Sequence, residues 1–341
     1  MTAPSVWALT TGEAGNISQA HGLAAALGRP WVARVGHIPA PWRWLPSPWG
    51  ARAGLKRVLG PGSDSLAPPW PAMIIACGRR AATLSLAVRA AAGPDRPVLI
   101  QLLDPQVSPR HFDLVIAPEH DGLRGPNVLT TLGALHRLTP ARLAEGARVW
   151  AERFAALPSP RVAVLIGGAS GAYRFGPEDA DRLASQLAAL AAEGVGLMVT
   201  LSRRTGAANA ARLRAALAPL GAYVWDGSGP NPYDGMLALA DAVMVTEESV
   251  SMLSEACFTG KPVLALPLPG GSARFARFHH ALIERGHVRR FTGTLELWTP
   301  PAPLDEPSRL AEELNRRFPG GGNAGLPPPP APILPPGNAL R

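Results

Sequence analysis

The sequence has little of what a disulfide-bonded or metal-binding protein needs. Cys77 and Cys257 are the only cysteines among 341 residues, and both lie in apolar surroundings. Two isolated cysteines exclude a disulfide framework and a cysteine-based zinc site, and the histidines have no metal-ligand spacing. We therefore expect two reduced core thiols and no metal or other cofactor.

Charged residues are also scarce, at 17% of the chain, and nearly all positive charge is arginine. Lys56 and Lys261 are the only lysines, although the formal net charge is +8. The basic residues are scattered and no aromatic RNA-binding motif accompanies them, which argues against a nucleic-acid partner. Arginine suits phosphates and carboxylates, so a phosphorylated small ligand or an anionic membrane remains compatible with this charge, as does a simple compositional bias.

Long hydrophobic runs are missing as well. No segment reaches the roughly 18 apolar residues of a membrane span, and the N-terminal stretch MTAPSVWALTTGEAGN has no signal-peptide pattern. These absences predict a cytoplasmic protein that is at most peripheral to the inner face of a membrane. Hydrophobic residues still make up 47%, and the length favours two domains with their own cores.

Short apolar runs alternate with alanine- and leucine-rich stretches throughout the chain. This alternation is typical of parallel, doubly wound α/β sheets. The predicted strands are 6–9, 31–35, 73–76, 98–102, 114–117, 128–130, 161–166, 196–201, 223–225, 242–245 and 263–266. The predicted helices of the second half are 177–192, 208–218, 231–240, 249–258 and 273–285.

The two halves begin alike, each with an apolar strand, a glycine loop and a helix. Between them, ALPSPR follows a predicted helix at 141–155 and has the prolines of a linker. We therefore expect Rossmann-like domains at 1–157 and 158–295, facing each other across a cleft. A C-terminal helix is expected within 296–318, followed by a disordered or extended tail rich in proline and glycine at 319–341.

Ligands of doubly wound sheets bind at the carboxyl ends of strands, where loops lead into helices. After strand 161–166 come Gly168, Ser170 and Gly171, whose backbone amides either contact a phosphate or form a tight turn.

Polar residues follow two further strands of the second half. Ser202, Arg203 and Arg204 come after strand 196–201, and adjacent arginines favour an anion site over a solvated turn. Asn231 begins a predicted helix, as a cap or as a ligand contact.

The loop after the first strand is the corresponding feature of the first half. It contains Gly12, Glu13, Gly15, Asn16 and Gln19, with Glu13 as its only acid. These side chains suit the orientation of a hydroxyl acceptor, but polar residues are also ordinary caps at the start of a helix.

The segment TEESVSMLSEACF predicts a helix whose N-terminus could hold an anion. Backbone amides at Ser249, Val250, Ser251 and Met252 would carry partial positive charge, which suits a diphosphate. Glu255 lies on the same helix face as Ser251 and would accept two hydrogen bonds from a ribose diol, unless it is an ordinary surface glutamate.

Four stretches together resemble the mitochondrial-fission "elongated mitochondria" family. They are TTGEAGNISQAHGLAAALG, SRRTG, NPYDGMLALADAVMVTEESVSMLSEACFTGKPV and RFARFHHALIERGHVRRF, and the resemblance runs from about Val6 to Phe291. The family is distantly similar to GT-B glycosyltransferases of the peptidoglycan type, which use a UDP-sugar. The resemblance thus implies a GT-B-like fold with an acceptor-side first domain and a nucleotide-side second domain.

By the same resemblance, Ser170 and Gly171 would lie near the donor phosphates, 249–252 would hold the diphosphate and Glu255 would bind the ribose. The transferase-type loop ends in a histidine where this chain has Asn16, so the usual general base is missing. Glu13 or His21 would have to replace it. Plant members act as adaptors that recruit a dynamin-like protein, which makes a non-catalytic interaction protein the competing hypothesis.

The segment PWRWLPSPWGARAGLKRVLG mixes tryptophans with basic residues. Trp42, Trp44 and Trp49 alternate with arginines and Lys56, a combination that suits a membrane interface or, alternatively, packing under a loop. The sequence as a whole predicts a nucleotide-sugar binder or a metal-independent glycosyltransferase that acts on a cell-envelope acceptor.

Overall fold

The computed structural model describes residues 5–319, which form two compact α/β units. The first unit comprises 5–117, 122–130 and 308–319, and the second comprises 118–121 and 131–307. The tail expected at 319–341 lies outside the described residues except for its first position.

The first unit contains a six-stranded sheet in the order β2-β1-β3-β4-β5-β6. Strands β1 to β5 pair in parallel. Its strands are β1 (Val6–Thr10), β2 (Trp31–Val35), β3 (Met73–Cys77), β4 (Val98–Leu102), β5 (Leu114–Pro118) and β6 (Val128–Thr131). Its helices are α1 (Ala14–Ala26), α2 (Ser47–Ala53), α3 (Leu55–Val58) and α4 (Arg79–Ala92).

The second unit contains a six-stranded parallel sheet in the order β12-β11-β10-β7-β8-β9. Its strands are β7 (Arg161–Ile166), β8 (Gly196–Leu201), β9 (Tyr223–Val224), β10 (Ala242–Thr246), β11 (Val263–Leu266) and β12 (Val288–Arg290). Its helices are α5 (Pro140–Ala155), α6 (Pro177–Ala192), α7 (Ala207–Leu217), α8 (Tyr233–Leu239), α9 (Val250–Phe258) and α10 (Ala273–Glu284). Helix α11 (Glu306–Arg317) follows.

Both faces of the second sheet are buried, which explains its uninterrupted apolar strands. Successive side chains of a strand point to opposite faces. Accordingly, Val164 and Ile166 of β7 pack in one buried cluster, whereas Ala163 and Leu165 pack in another. Sheets covered by helices on both sides favour such runs, and this pattern made the strands recognisable in the sequence. The expected class of two doubly wound α/β domains is confirmed.

The division between the units differs from the boundary expected at 157–158. Helix α5 precedes that boundary, yet it belongs to the second unit because it packs on α8. Arg142 Nη2 lies 2.6 Å from Asp234 Oδ2, and the backbone of Gly146 lies against that of Asp234 and Gly235. The proline-rich linker marks the end of a helix, but it does not say which core the helix covers.

A separate C-terminal helix was expected within 296–318. Helix α11, which lies there, begins in the second unit and ends in the first. Glu306 at its start accepts a hydrogen bond from the Leu132 amide of the second unit. Its later turns belong to the first unit, where Asn315 Nδ2 donates to the Leu27 carbonyl and Arg29 donates to the Phe318 carbonyl. An amphipathic pattern predicts that a helix buries one face, but it does not show on which core that face packs.

We expect Gly146→Ala to lower the free energy of unfolding by about 1–3 kcal/mol, the usual cost of overpacking. A Cβ at this position would lie 2.7 Å from the Asp234 carbonyl carbon, and backbone cannot move away easily. The matched control is Gly15→Ala in α1, where a Cβ meets nothing within 4 Å. Urea unfolding of both variants would measure the difference. Equal stability of Gly146→Ala and the wild type would contradict close packing of α5 on α8.

Candidate functional site

The second sheet reverses its strand order between β7 and β10. Chain connections diverge at such a point and leave a crevice at the carboxyl ends of the strands, where ligands bind. The loop after β7 begins with Gly167 and Gly168, and the loop after β10 contains 247–249. Residues 202–205 follow β8 beside them.

The first two glycines after β7 are held by the loop after β10. The Gly167 amide donates to Thr246 Oγ1 at 2.8 Å, and the Gly168 amide donates to Glu248 Oε1 at 2.8 Å. A Cβ on Gly167 would lie 1.6 Å from Glu248 Oε1, so only glycine fits there. These two amides therefore position the loops and are not free to hold a phosphate.

Ser170 forms a turn within the same loop. Its amide donates to the Tyr173 carbonyl, and its Oγ accepts from the amides of Ala172 and Tyr173. The amides of Ala169 and Gly171 have no acceptor among residues 5–319. Of the predicted phosphate loop, these two amides remain available to a ligand.

Glu248 is the buried anchor of this region. Its side chain is 0% exposed, and its Oε1 also accepts from Arg204 Nη2 at 3.2 Å. Burial raises the pKa of Glu248 above its ordinary value, although the Gly168 amide, Thr246 and Arg204 oppose the rise. Arg204 is itself 43% exposed, so one end of the ion pair is fixed while the guanidinium still faces solvent.

The two other residues predicted for the β8 loop differ in their contacts, since Ser202 is hydrogen-bonded within the loops and Arg203 is exposed. Ser202 Oγ donates to the Gly167 carbonyl and accepts from the Arg204 amide. Arg203 is exposed and forms no ion pair or hydrogen bond with the described part of the chain. Arg203 and Arg204 therefore present two cations next to the glycine loop.

The neighbouring acid, Glu247, also points into the protein. Its Oε1 accepts from the Leu268 amide at 3.1 Å, and its carbonyl oxygen lies 2.7 Å from His279 Nε2. Both acids that precede α9 are thus turned away from the helix start, which keeps that end of the helix compatible with an anion.

Helix α9 begins with open backbone donors. Ser249 caps it, with its Oγ accepting from the Met252 amide at 3.4 Å. The amides of Val250 and Ser251 have no acceptor within 5–319. The side chains of Val250 and Met252 pack against the core, whereas Ser251 is exposed.

Glu255, one turn further along α9, is positioned by Tyr233 at the start of α8. The Tyr233 hydroxyl donates to Glu255 Oε2 at 2.5 Å, and no described residue hydrogen-bonds to Oε1. Burial raises the pKa of Glu255 to about 7, and the charge of Asp234 adds to this effect. The predicted ribose acid is therefore a partly buried carboxyl group with one fixed and one open oxygen.

Tyr233 is a residue of this site that the sequence analysis did not single out. Its partner is 22 positions away, and no local pattern links a tyrosine at one helix start to an acid in the next helix. Asn231 fixes this tyrosine, since its Oδ1 accepts from the Tyr233 amide at 3.0 Å. Asn231 lies one residue before the N-cap, Pro232, and holds the first amide of α8.

In the first unit, Glu13 lies within a small polar cluster. Its Oε2 accepts from Thr11 Oγ1 at 2.6 Å and from Asn16 Nδ2 at 3.4 Å, and Oε1 lies 3.5 Å from Arg80. Partial burial acts to raise the pKa of Glu13, but the Thr11 hydrogen bond and the Arg80 charge outweigh it, so the pKa is lowered. A carboxylate with a lowered pKa is a weak general base.

The other predicted residues of this loop have different surroundings. Gly12 has a φ of +96°, which favours glycine, and Gly15 is the second residue of α1, with open space around it. The side chain of Gln19 hydrogen-bonds to no described residue. The His21 ring contacts Trp31 at a tilt of 50°, with ring centroids 5.0 Å apart. The helix rise places His21 about 12 Å along the axis from Glu13. The structure brings Glu13 and Asn16 together, but not His21.

The described residues also bear on two other features, a metal site and a membrane-spanning helix. Within 5–319, no three His, Cys, Asp or Glu side chains are grouped so that they could hold a metal ion. No helix in the same range combines the length and apolar character needed to cross a bilayer.

Glu255 should make stability depend on pH. Its pKa in the folded state is about 7, raised from 4.5, so its favourable contribution is present below about pH 4.5 and is lost as pH rises through 7. We therefore expect Glu255→Gln, which keeps an acceptor for Tyr233, to gain stability over the wild type across this interval. Thermal unfolding at several pH values would measure this. A stability difference that does not vary with pH would contradict the buried-carboxyl assignment.

Comparison with known proteins shows the family of this chain. The model for "Mitochondrial fission ELM1" matches residues 14–318. The Arabidopsis thaliana protein "Mitochondrial fission protein ELM1" is 33% identical over 300 residues, covering 79% of this chain and 69% of that protein.

Two solved structures with a similar fold are named as UDP-GlcNAc 2-epimerases. A candidate UDP-N-acetylglucosamine 2-epimerase from Listeria monocytogenes gives a TM-score of 0.54 at 13% identity, covering 92% of this chain and 88% of that chain. The UDP-GlcNAc 2-epimerase from Methanocaldococcus jannaschii gives 0.52 at 10% identity, covering 91% and 99%. These likenesses concern the fold, which is GT-B-like, and the family match identifies the chain as a member of the mitochondrial fission ELM1 family.

Proposed function

We propose that the second unit binds a nucleoside diphosphate sugar. The observation that carries this proposal is the carboxyl group of Glu255, whose Oε2 is fixed by Tyr233 while Oε1 has no partner among the described residues. A positioned carboxylate oxygen is the acceptor that a ribose diol requires. An ordinary surface glutamate would have neither the buried tyrosine partner nor a pKa raised to about 7.

The diphosphate would bind at the start of α9. The open amides of Val250 and Ser251 are one to two turns from Glu255, a separation of about 6–8 Å along the helix axis. This spacing suits a ribose and its diphosphate on one side of a helix start. Arg203, which is exposed, and Arg204, which is anchored by Glu248, provide two cations that would balance the phosphate charge.

The proposed reaction is a metal-independent transfer of the sugar to an acceptor hydroxyl. The bond between the anomeric carbon and the diphosphate oxygen breaks, and its electron pair leaves with the nucleoside diphosphate. The amides of α9 and Arg204 stabilise that charge, while the acceptor oxygen bonds to the anomeric carbon and loses its proton to a base. The names of the fold neighbours, which refer to UDP-GlcNAc, support a UDP-sugar as the first substrate to test.

A non-catalytic binding protein is the second candidate, and Glu13 favours it. The acid expected to replace the missing histidine has a lowered pKa and is already bound by Thr11, Asn16 and Arg80. Such a carboxylate is well suited to hold a loop and poorly suited to take a proton. An interaction protein that keeps a nucleotide-binding unit would have this combination.

A thermal-shift screen with UDP-, GDP- and CMP-sugars tests the binding proposal. We expect one nucleotide class to raise the Tm, and Glu255→Ala to weaken that binding about tenfold or more, because hydrogen bonds to a charged group are the stronger class. Tyr233→Phe should weaken binding less, since it removes only the positioning contact. The control is Glu178→Gln, which removes an exposed charge at the start of α6.

Absence of stabilisation by all three classes would refute nucleotide binding. Equal affinity of Glu255→Ala and the wild type would remove the ribose assignment alone. With a bound nucleotide sugar, release of free nucleoside diphosphate in the presence of a hydroxyl acceptor distinguishes the transferase from the non-catalytic candidate.

A membrane-associated acceptor is supported by the surface of the first unit. Trp44 is 64% exposed and Trp49 is 62% exposed, whereas Trp42 packs against the core. Arg43 lies over the Trp44 ring at 4.3 Å, and Arg52, Lys56 and Arg57 are exposed nearby in the sequence. Between Glu13 and Asp64 the sequence contains no acid. We propose peripheral contact with anionic lipid through this segment.

Vesicle sedimentation checks the membrane contact. We expect binding to vesicles of phosphatidylcholine with phosphatidylglycerol, and little binding to phosphatidylcholine alone. The double change Lys56→Gln and Arg57→Gln should weaken binding more than tenfold, since each cation near an anionic surface contributes about 1 kcal/mol. The control pair, Arg182→Gln and Arg212→Gln, removes the same charge from the second unit. An equal loss in both pairs would exclude a specific lipid-binding surface.

A further inference from the structure

A pocket of about 490 Å³ lies on the second unit, apart from the residues assigned to the nucleotide. It is formed by α5, by β9 and by the loop after β9. None of its lining residues belongs to the glycine loop, the arginine pair or α9. Strand β9 is the last strand on this side of the sheet within the described residues, so the pocket opens beside a sheet edge.

The pocket has aromatic surfaces that are only partly covered. Trp150, Tyr223 and Trp225 line it and are all half-buried. Trp150 stacks on Phe154 at 5.5 Å and meets the Tyr223 ring at 6.3 Å in an edge-on arrangement. Packing inside the unit therefore fixes these rings while part of their surface remains open.

Some hydrogen-bonding groups in the pocket already have partners within the unit, whereas others have none among the described residues. Asp226 accepts from both the amide and the hydroxyl of Ser228, and the Trp225 indole donates to the Ser228 carbonyl. The Tyr223 hydroxyl and the Trp150 indole have no acceptor among the described residues. These two open donors lie beside Asp226 Oδ2 and the exposed Arg153, which lies over the Tyr223 ring at 5.7 Å. A fitting ligand therefore combines apolar rings with acceptors for Tyr223 and Trp150.

A proline-rich segment has this chemistry, and the chain contains one. Residues 327–336 read PPPPAPILPP and lie outside the described residues. Proline has no backbone N–H, its carbonyl remains an acceptor, and proline-rich sequences favour polyproline II. Grooves lined with tyrosine and tryptophan bind polyproline II segments in many recognition domains.

We propose that this pocket binds residues 327–336 of this chain. The proline rings pack on Trp150 and Trp225, and the Tyr223 hydroxyl donates to a proline carbonyl. Little conformational entropy is lost, because the proline rings already restrict the segment. The pocket is thus a docking site for the C-terminal segment and is independent of nucleotide binding.

Calorimetric titration of a synthetic peptide of residues 325–338 tests this docking. The receptor is the full chain with Pro329, Pro330, Pro332 and Pro335 changed to serine, which removes the competing internal segment. We expect this receptor to bind the peptide more tightly than the wild type does. Adding Tyr223→Phe should weaken binding about fivefold, the usual effect of one hydrogen bond, and Trp225→Leu should weaken it further.

The matched control is Tyr173→Phe, a tyrosine of the same unit that lies outside the pocket, and it should leave peptide affinity unchanged. A peptide with serine in place of every proline should not bind. Absence of peptide binding to the serine-substituted chain would overturn the proposal. Equal affinity of the Tyr223→Phe receptor and its parent, with both folded by circular dichroism, would overturn it as well.

Discussion

The buried carboxylate of Glu248 is the contact on which the candidate site depends. It joins three loops at the carboxyl end of the second sheet, because its Oε1 accepts from both the Gly168 amide and Arg204. A buried acid without partners would be costly, so the surrounding loops must stay in register with it. This requirement excludes a side chain at residue 167 and keeps Arg204 beside the glycine loop.

This arrangement changes which backbone amides of the glycine-rich loop are free to bind a phosphate. A glycine loop after a strand usually suggests that backbone amides hold a phosphate. Here the first amides bind Thr246 and Glu248, and the donors still open are at Ala169, Gly171 and the start of α9. The donors at the start of α9 lie on the same helix as Glu255, which Tyr233 positions, and these are the donors that we propose for the anion. In the corresponding loop of the first unit, Glu13 is already held by Thr11 and Arg80.

Strand positions and fold class followed from the sequence because parallel, doubly covered strands are uninterrupted apolar runs. The bounds of β2, β4, β7, β8, β11 and α6 were predicted without error, and β12, with two exposed arginines, was missed. Helices α2 and α3 were also missed, since each is too short for a clear periodic pattern. By its contacts α5 groups with the second unit, and the later turns of α11 group with the first, although their own sequences do not specify these cores.

The sequence alone determined the alternation of strands and helices, the glycine loops, the position of Glu255 on α9 and the family resemblance, because all of these are local patterns. Only the tertiary structure decided that Tyr233 fixes Glu255, that Glu248 occupies the glycine-loop amides and that Trp42 is packed while Trp44 and Trp49 are exposed. Each of these depends on residues brought together from distant segments. Hydrogen bonds and burial between such segments arise from packing, for which local periodicity carries no signal.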